Sequence, residues 1–285
     1  MKASDLVDEA IRILKRSPAI DHWQKDREEI ESEELLEFAL RSDEYDPDEE
    51  VGRADAARFR GYIARRAKGE PTQLIKGFSE FRGLELVAAP GVFVPRDSSE
   101  FLAEQVIAKL RRREKPIFVE LACGAGAVSL AVRNETWGTR VYGSDIAADA
   151  VRAARRSARN LRLRATFVQG DLYGGLPRAI RGKVDVIAMH PPYVARGEVR
   201  ELPAEIRRYE PAHTLTDRSV DGLGLLTRAV AGAHEWLKPR GWFLVEVSPD
   251  RARAVASVMR QGGLRDVVST KGGDLKITRV VCGRR

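Results

Sequence analysis

The chain has little of what builds stapled or metal-held folds. Only two of its 285 residues are cysteine, Cys123 and Cys282, and only four are histidine. The cysteines lie far apart, in what read as a loop and a strand, a pattern that suggests neither a disulfide framework nor a zinc site. No stretch approaches the roughly 18 consecutive apolar residues of a membrane span, and the opening segment MKASDLVDEAIRILKRS carries acids and lacks the apolar block of a secretion signal. The expectation is a cytoplasmic protein without a membrane segment or a metal. Internal repeats and low-complexity tracts are missing as well.

What is present suits a folded α/β chain. A length of 285 residues with 43% hydrophobic content is enough for one large domain and a smaller one. The net charge of +7 is uneven: residues 1–85 hold 15 Lys and Arg against 21 Asp and Glu, or −6, which leaves +13 on the remainder. A basic half attracts nucleic acid or acidic protein surfaces, or is simply a solvated face; charge balance bears on association rather than chemistry.

The first part reads as helices. SDLVDEAIRILKRS places Leu6, Ala10, Ile13 and Leu14 near one face, with Ser4 as the expected N-cap, and SEELLEFALR and ADAARFRGYIARRAKG continue the pattern. SDEYDPDEE between them is too acidic for core and is read as a loop. RGLELVAAPGVFVPR changes to short strand-like runs broken by Gly83, Pro90, Gly91 and Pro95, a hinge or hairpin between domains. From about residue 100, helical stretches alternate with short apolar runs: IFVELA, RVYGSD, ATFVQGD, VDVIAMH, GWFLVEVS, RDVVST and KITRVVCG. That alternation predicts an open, mostly parallel sheet covered by helices. The last two runs have no helix between them, so they are expected to form an antiparallel pair at one edge. The expected domains are 1–75 helical, 76–98 a β linker and 99–285 the sheet domain.

Chemistry concentrates at the ends of these strands. FVELACGAGAVSLAV sets a strand, a glycine turn and an apolar helix in succession, with Gly124 and Gly126 where a nucleotide-like ligand can approach the backbone. A dinucleotide fingerprint would need a third glycine, and Ser129 stands there, against NAD. Asp145, 19 residues after Gly126, ends the next strand at the spacing of an acid that accepts ribose hydroxyls, or caps the following helix. Asp171 ends a third strand, and AMHPPYV ends the fourth in His190, Pro191, Pro192 and Tyr193.

Together, Glu120 to Gly126, Asp145, Asp171 and the diproline-tyrosine turn resemble class I S-adenosylmethionine-dependent methyltransferases, whose amino-methylating members carry Asn-Pro-Pro-Tyr at this place. The resemblance extends to the glutamine-N5 methyltransferases that modify the Gly-Gly-Gln loop of peptide chain release factors. Gly69-Glu70-Pro71, Gly77, Glu80-Phe81, Gly83 and Val94-Pro95-Arg96 match that family's junction, ELPAEIRRYEP and DGLGLLTRAV its segment after the tetrad, and TRVVCGRR its closing strand. Two positions depart from it. Asp97-Ser98-Ser99-Glu100 replaces the usual Pro-Glu-Thr-Glu, and His190 replaces the tetrad asparagine.

The resemblance implies a Rossmann-like catalytic domain with a seven-stranded, mostly parallel sheet behind a small helical substrate-recognition domain. It implies S-adenosylmethionine, and no metal, held by Glu120, Ala122, Cys123, Gly124, Ala125, Gly126, Asp145, Ile146, Asp171, Leu172 and His190, with Asp145 at the ribose and Asp171 near the adenine. The acceptor is expected against Phe93, Arg96, Glu100, His190, Pro191 and Tyr193, with His190, Pro191, Pro192 and Tyr193 catalytic. In the family the tetrad asparagine and the carbonyl after it accept hydrogen bonds from the substrate amide. Neutral imidazole offers one acceptor and one donor, so His190 replaces that acceptor, acts as a base, or merely fills the strand end. The implied partner is a release factor, in a monomeric enzyme. A small molecule or another protein is the alternative acceptor, and nucleic acid fits less well because no target-recognition segment is visible. Arg96 and Glu100 gate the cofactor or pair with each other. Trp23, Trp137, Trp236 and Trp242 read as packing residues, Cys123 as space-filling, and the arginines of VRAARRSARNLRLR as a solvated face.

Overall fold

The structure, a computed structural model, describes residues 1–22, 24–272 and 277–285. Trp23 and the first residue of the expected last strand, Lys276, lie outside the described residues. In chain order the first elements are helices α1 (Ala3–Lys15), α2 (Arg27–Leu40), α3 (Arg53–Arg66) and α4 (Thr72–Lys76), then strands β1 (Phe78–Phe81) and β2 (Leu84–Val87) and helix α5 (Ser98–Leu110). There follow β3 (Ile117–Leu121), α6 (Ala127–Glu135), β4 (Arg140–Asp145), α7 (Ala148–Asn160), β5 (Thr166–Gln169) and β6 (Val184–Met189). The chain closes with α8 (Ala204–Tyr209), α9 (Ala212–Leu215), α10 (Gly224–Trp236), β7 (Leu237–Glu246), α11 (Ala252–Gln261), β8 (Arg265–Gly272) and β9 (Ile277–Arg284).

The chain forms two compact units. The first comprises Met1–Phe78, Ala88–Pro90 and Arg200–Pro211, so a segment remote in sequence folds with the N-terminal helices. Its core joins Leu6, Ala10 and Leu14 of α1 to Leu35 and Leu36 of α2, Phe59 and Ile63 of α3 and Ile75 of α4. Ile13, expected on this face, is 41% exposed: the buried stripe also takes in Ala3 and Val7, which rotates its centre away from Ile13. The expected N-cap Ser4 is also displaced, because α1 starts at Ala3. Here the acidic loop does the capping: Ala3 N–H donates to Glu49 O and Ser4 N–H to Pro47 O (both 3.0 Å), satisfying donors that a helix start leaves open.

The second unit comprises Ser79–Val87, Gly91–Val199 and Ala212–Arg285. Its hairpin β1–β2 turns at Arg82 (φ 49°) and Gly83 (φ 71°), two successive left-handed residues as a two-residue hairpin turn requires. The main sheet has seven strands in the order β5-β4-β3-β6-β7-β9-β8. β3 to β7 pair in parallel, and β9 runs antiparallel between β7 and β8. This is the expected mostly parallel sheet, with the antiparallel pair closing one side. The central strands β3 and β6 are buried along their whole length, since helices cover both faces. Phe118, Val186 and Leu244 enter the core on one face, Val119, Ile187 and Phe243 that on the other. Buried Asp185 at the start of β6 is satisfied by Arg113, Lys238 and the Ile117 N–H; these partners overcome its burial and hold the carboxyl below its usual range.

Trp236 is buried and Trp242 packs against the core, but Trp137 is 98% exposed. It sits in the turn leaving α6, where no element covers it. Cys123 and Cys282 are both free and buried. Among the described residues no helix is long and apolar enough to cross a membrane, and no group of three or more His, Cys, Asp or Glu side chains is arranged to hold a metal.

Candidate active site

The order of strands reverses at β3, with β4 on one side and β6 on the other, so a crevice opens at their carboxyl ends, the place where open α/β sheets bind ligands. Register decides which residues line it. Leu121 pairs with Ser144, Asp145 with Gln169, Leu121 with Met189 and Met189 with Val245. One step beyond Leu121, Ala122, Asp145, Gln169, His190 and Glu246 share a single row.

The turn after β3 is built from left-handed residues: Ala122 (φ 53°), Gly124 (φ 52°) and Gly126 (φ 80°). The two glycines are needed for different reasons. A Cβ on Gly126 would lie 2.8 Å from the Phe167 ring and 3.1 Å from Ala154, so this glycine lets α6 pack against β5 and α7. Beside Gly124 there is open space, as a ligand-approaching turn needs. Asp145 braces the turn: its Oδ2 accepts the Gly124 N–H (2.8 Å) and its Oδ1 the Ala147 N–H (2.9 Å). Next to it Ile146 is 60% exposed, an aliphatic side chain left bare at the crevice edge.

Glu120 reaches from β3 to the start of α6, where its Oε2 accepts the Ser129 N–H (2.8 Å). It is buried, and burial pushes its carboxyl up to about 8; the Ser129 hydrogen bonds work against this, and the charges of Asp145 and Glu246 add to it. Cys123 is buried in the same turn, and burial pushes its thiol well above the usual range, so it is packing rather than a nucleophile. At the end of β5, Leu172 (φ 51°) accepts the Ser144 hydroxyl through its carbonyl (2.5 Å), which fixes this loop to β4. The Asp171 side chain stays largely exposed and pairs with Arg228 of α10.

At the end of β6, Pro191 and Pro192 terminate the strand, and no cis peptide occurs among the described residues. Tyr193 bridges to Thr216, and the Val194 N–H donates to Leu215 O (3.0 Å), so the turn is tied to α9 and the residues after it. The His190 ring stacks on Tyr193 (centroids 5.7 Å apart, 19° between planes) and meets Phe93 edge-on (5.6 Å, 88°). Arg96 lies over the other ring, 4.9 Å from the Phe93 centroid. His190 Nδ1 is 3.3 Å from Ser99 Oγ and 3.3 Å from Glu246 Oε2. Burial lowers the His190 pKa; Glu246 opposes this and Arg96 reinforces it, so the surroundings favour the neutral ring.

The expected residues are therefore gathered unevenly. Gly124, Asp145, His190, Tyr193, Phe93 and Arg96 surround the crevice. Glu100 is turned to the hairpin, where its Oε1 accepts the Arg82 N–H (2.8 Å). Of the basic helix, Arg155 binds the Phe167 carbonyl (2.9 and 2.6 Å) and Arg152 pairs with Asp149 one turn away. Sequence reasoning missed Glu246, Ser98 and Ser99. For Glu246 the signal was an acid inside the apolar run GWFLVEV, since an unpaired carboxylate is rarely buried in a strand, and for Ser98 and Ser99 it was the departure of Asp97-Ser98-Ser99-Glu100 from the pattern the sequence resembles.

Comparison with known proteins places this architecture. Residues 7–77 match a model described as PrmC N-terminal domain, and residues 83–206 one described as Methyltransferase small domain. A release factor glutamine methyltransferase of Geobacter sulfurreducens is 32% identical over 259 residues, covering 90% of this chain and 89% of that protein. One of Fusobacterium nucleatum is 30% identical over 277 residues, covering 96% and 77%. A methyltransferase crystal structure from Pyrococcus furiosus shares the fold at 16% identity, with a TM-score of 0.50 over 71% of this chain and 89% of that one. With sequence identity sustained from the N-terminal helices through the sheet, the chain belongs to the release factor glutamine methyltransferase family.

Proposed function

We propose that this protein transfers a methyl group from S-adenosylmethionine to the side-chain amide nitrogen of a glutamine in a peptide chain release factor. The observation that carries the reading is the relatives' identity over nearly the whole chain, helical unit included, because the unit outside the methyltransferase domain is where a protein substrate would be chosen.

The crevice suits this cofactor. Its sulfonium and ammonium are cationic, and Asp145 and Glu246 place carboxylates at neighbouring strand ends; Glu120 beside them, pushed up chiefly by burial and further by those two charges, would be drawn back toward its ionised form by a bound cation. Gly124 offers an uncovered backbone, Asp145 an acid at the ribose position, and Ile146 a bare aliphatic face for the adenine. When bound, the cofactor supplies an electrophilic methyl carbon.

The chain's own residues do the rest. An amide nitrogen is a poor nucleophile, so holding it in line with the methyl carbon supplies much of the acceleration. Tyr193 and Phe93 form aromatic walls around His190, which faces the acceptor together with the Pro191 carbonyl. As the N–C bond forms, the C–S pair goes to sulfur and the alkylated amide loses one N–H proton.

The test is transfer of labelled methyl from S-adenosylmethionine to purified release factors, with a Gly-Gly-Gln glutamine→alanine substrate as control. Label on the intact factor and none on the control is expected. Equal labelling of both would refute the glutamine. His190 in place of asparagine favours one second reading, an acceptor on another protein or a small molecule with a more acidic proton, which would appear as label in other fractions of a cell extract.

A further inference from the structure

The two stretches that depart from the pattern the sequence resembles, Asp97-Ser98-Ser99-Glu100 and His190, meet in space. Ser98, from the altered Asp-Ser-Ser-Glu stretch, donates its hydroxyl to Glu246 Oε1 (2.7 Å), and His190 places Nδ1 3.3 Å from Glu246 Oε2. Register makes this unavoidable. Ala188 pairs with Leu244 and Met189 with Val245 in parallel, so the next residues, His190 and Glu246, are neighbours across β6 and β7. Glu246 is 3% exposed, and its Oε2 has no hydrogen-bond partner among the described residues; the His190 ring nitrogen at 3.3 Å lies within ion-pair distance of it without making that bond.

We propose that Glu246 is a positioning residue that holds His190 in the Nδ1–H tautomer, so that the unprotonated Nε2 is presented to the acceptor nitrogen in place of the family's asparagine oxygen. The proposal rests on the methyl-transfer reading above.

Two groups compete for Nδ1. The Ser99 hydroxyl, also 3.3 Å away, is hydrogen-bonded to Nδ1, and as a donor it would force the opposite tautomer. The carboxylate wins on energy. An N–H···O⁻ bond to a buried carboxylate is about twice as strong as a neutral one, whereas leaving Oε2 without a donor costs several kcal/mol. Ser99 can then accept rather than donate.

With Nδ1–H fixed, Nε2 receives an N–H of the substrate amide before transfer. It then takes the proton that the alkylated nitrogen releases, giving an imidazolium stabilised by Glu246; that proton passes to solvent when the product leaves. An asparagine could orient the amide but could not take the proton. The charged and titratable groups facing His190 are Glu246 from β7, Arg96 from the segment before α5, and Tyr193 from its own turn. Activity should therefore have an acid limb set by His190.

The test combines nitrogen NMR of labelled imidazole with kinetics on the full chain. In the wild type, without substrate, His190 is expected as the Nδ1–H tautomer. In Glu246→Gln, whose amide can donate to Nδ1, it should shift toward Nε2–H, with kcat lowered on the order of 100-fold and S-adenosylmethionine affinity little changed. Glu246→Asp should restore the tautomer, and His190→Asn should lose the acid limb. An Nε2–H wild type, or a folded Glu246→Gln with unchanged tautomer and kcat, would overturn the proposal. Should Glu246→Gln fail to fold, the wild-type tautomer still decides. A wild type that methylates nothing sinks the functional reading instead, since the NMR arm needs no turnover.

Discussion

Removing the Glu205 carboxylate should unfold the helical unit selectively. Glu205 is buried and accepts from Arg27 Nη1 (2.7 Å), Arg27 Nη2 (3.1 Å) and Arg66 Nη2 (2.9 Å). Glu31 completes the network, accepting from Arg27 Nε (3.0 Å) and from Arg66 Nε (2.7 Å) and Nη2 (3.1 Å). Arg66 is 0% exposed, and among the described residues its Nη1 already has no partner. In Glu205→Ala two guanidiniums share one carboxylate, and one of them has no access to water. Breaking a buried pair by deleting one partner costs about 3–5 kcal/mol, mostly the uncompensated charge, against about 0–1 kcal/mol for an exposed pair. The surface pair Arg181–Glu235 is half exposed on both sides and supplies the control, Glu235→Ala. Hydrogen exchange should show α1, α2 and α3 losing protection by the full amount in Glu205→Ala while β3 and β6 keep theirs. A loss below about 1 kcal/mol, or one equal to that of Glu235→Ala, would mean that the network is solvated and the argument from burial wrong.

Two glycine substitutions should separate packing from ligand approach. Gly126→Ala meets both a left-handed backbone and the Phe167 ring at 2.8 Å, and should cost roughly 2–4 kcal/mol in denaturant unfolding; Gly124→Ala, with nothing within 4 Å, should cost about 1 kcal/mol yet weaken S-adenosylmethionine binding in calorimetry. Reversed effects would contradict these assignments. Glu120 gives a pH prediction: its carboxyl is pushed up to about 8 in the fold against about 4.3 unfolded, so the folded state holds the extra proton between these values. Stability should therefore fall as pH rises through that window, by up to about 1.4 kcal/mol per pH unit, and Glu120→Gln should flatten the slope in melting curves. Parallel curves for the two proteins would show that Glu120 is ionised throughout.

The strand–turn–helix at Gly124 and Gly126, the acid closing β4 and the diproline turn are local patterns, because a tight turn or a strand end is dictated by residues within a few positions of one another. The alternation of helices and apolar runs likewise implied a parallel sheet, and the missing helix between the last two runs implied their antiparallel pairing. Local pattern misled where a distant segment supplied the partner. Ser4 looked like a cap, but the carbonyls of Pro47 and Glu49 do that work. Trp137 looked like core, yet the turn that carries it has nothing above it. Residues 200–211 read as sheet-domain sequence, and their Glu205 is what the arginines of α2 and α3 hold.

By itself, then, the sequence determined the order of elements, the glycine turn and the chemistry offered at each strand end. Which ends meet was decided only by tertiary structure. Nothing local to FLVEVS says that its glutamate lies beside a histidine more than fifty residues earlier; strand order and register settle that, since a slip of one residue would turn Glu246 to the opposite face of the sheet.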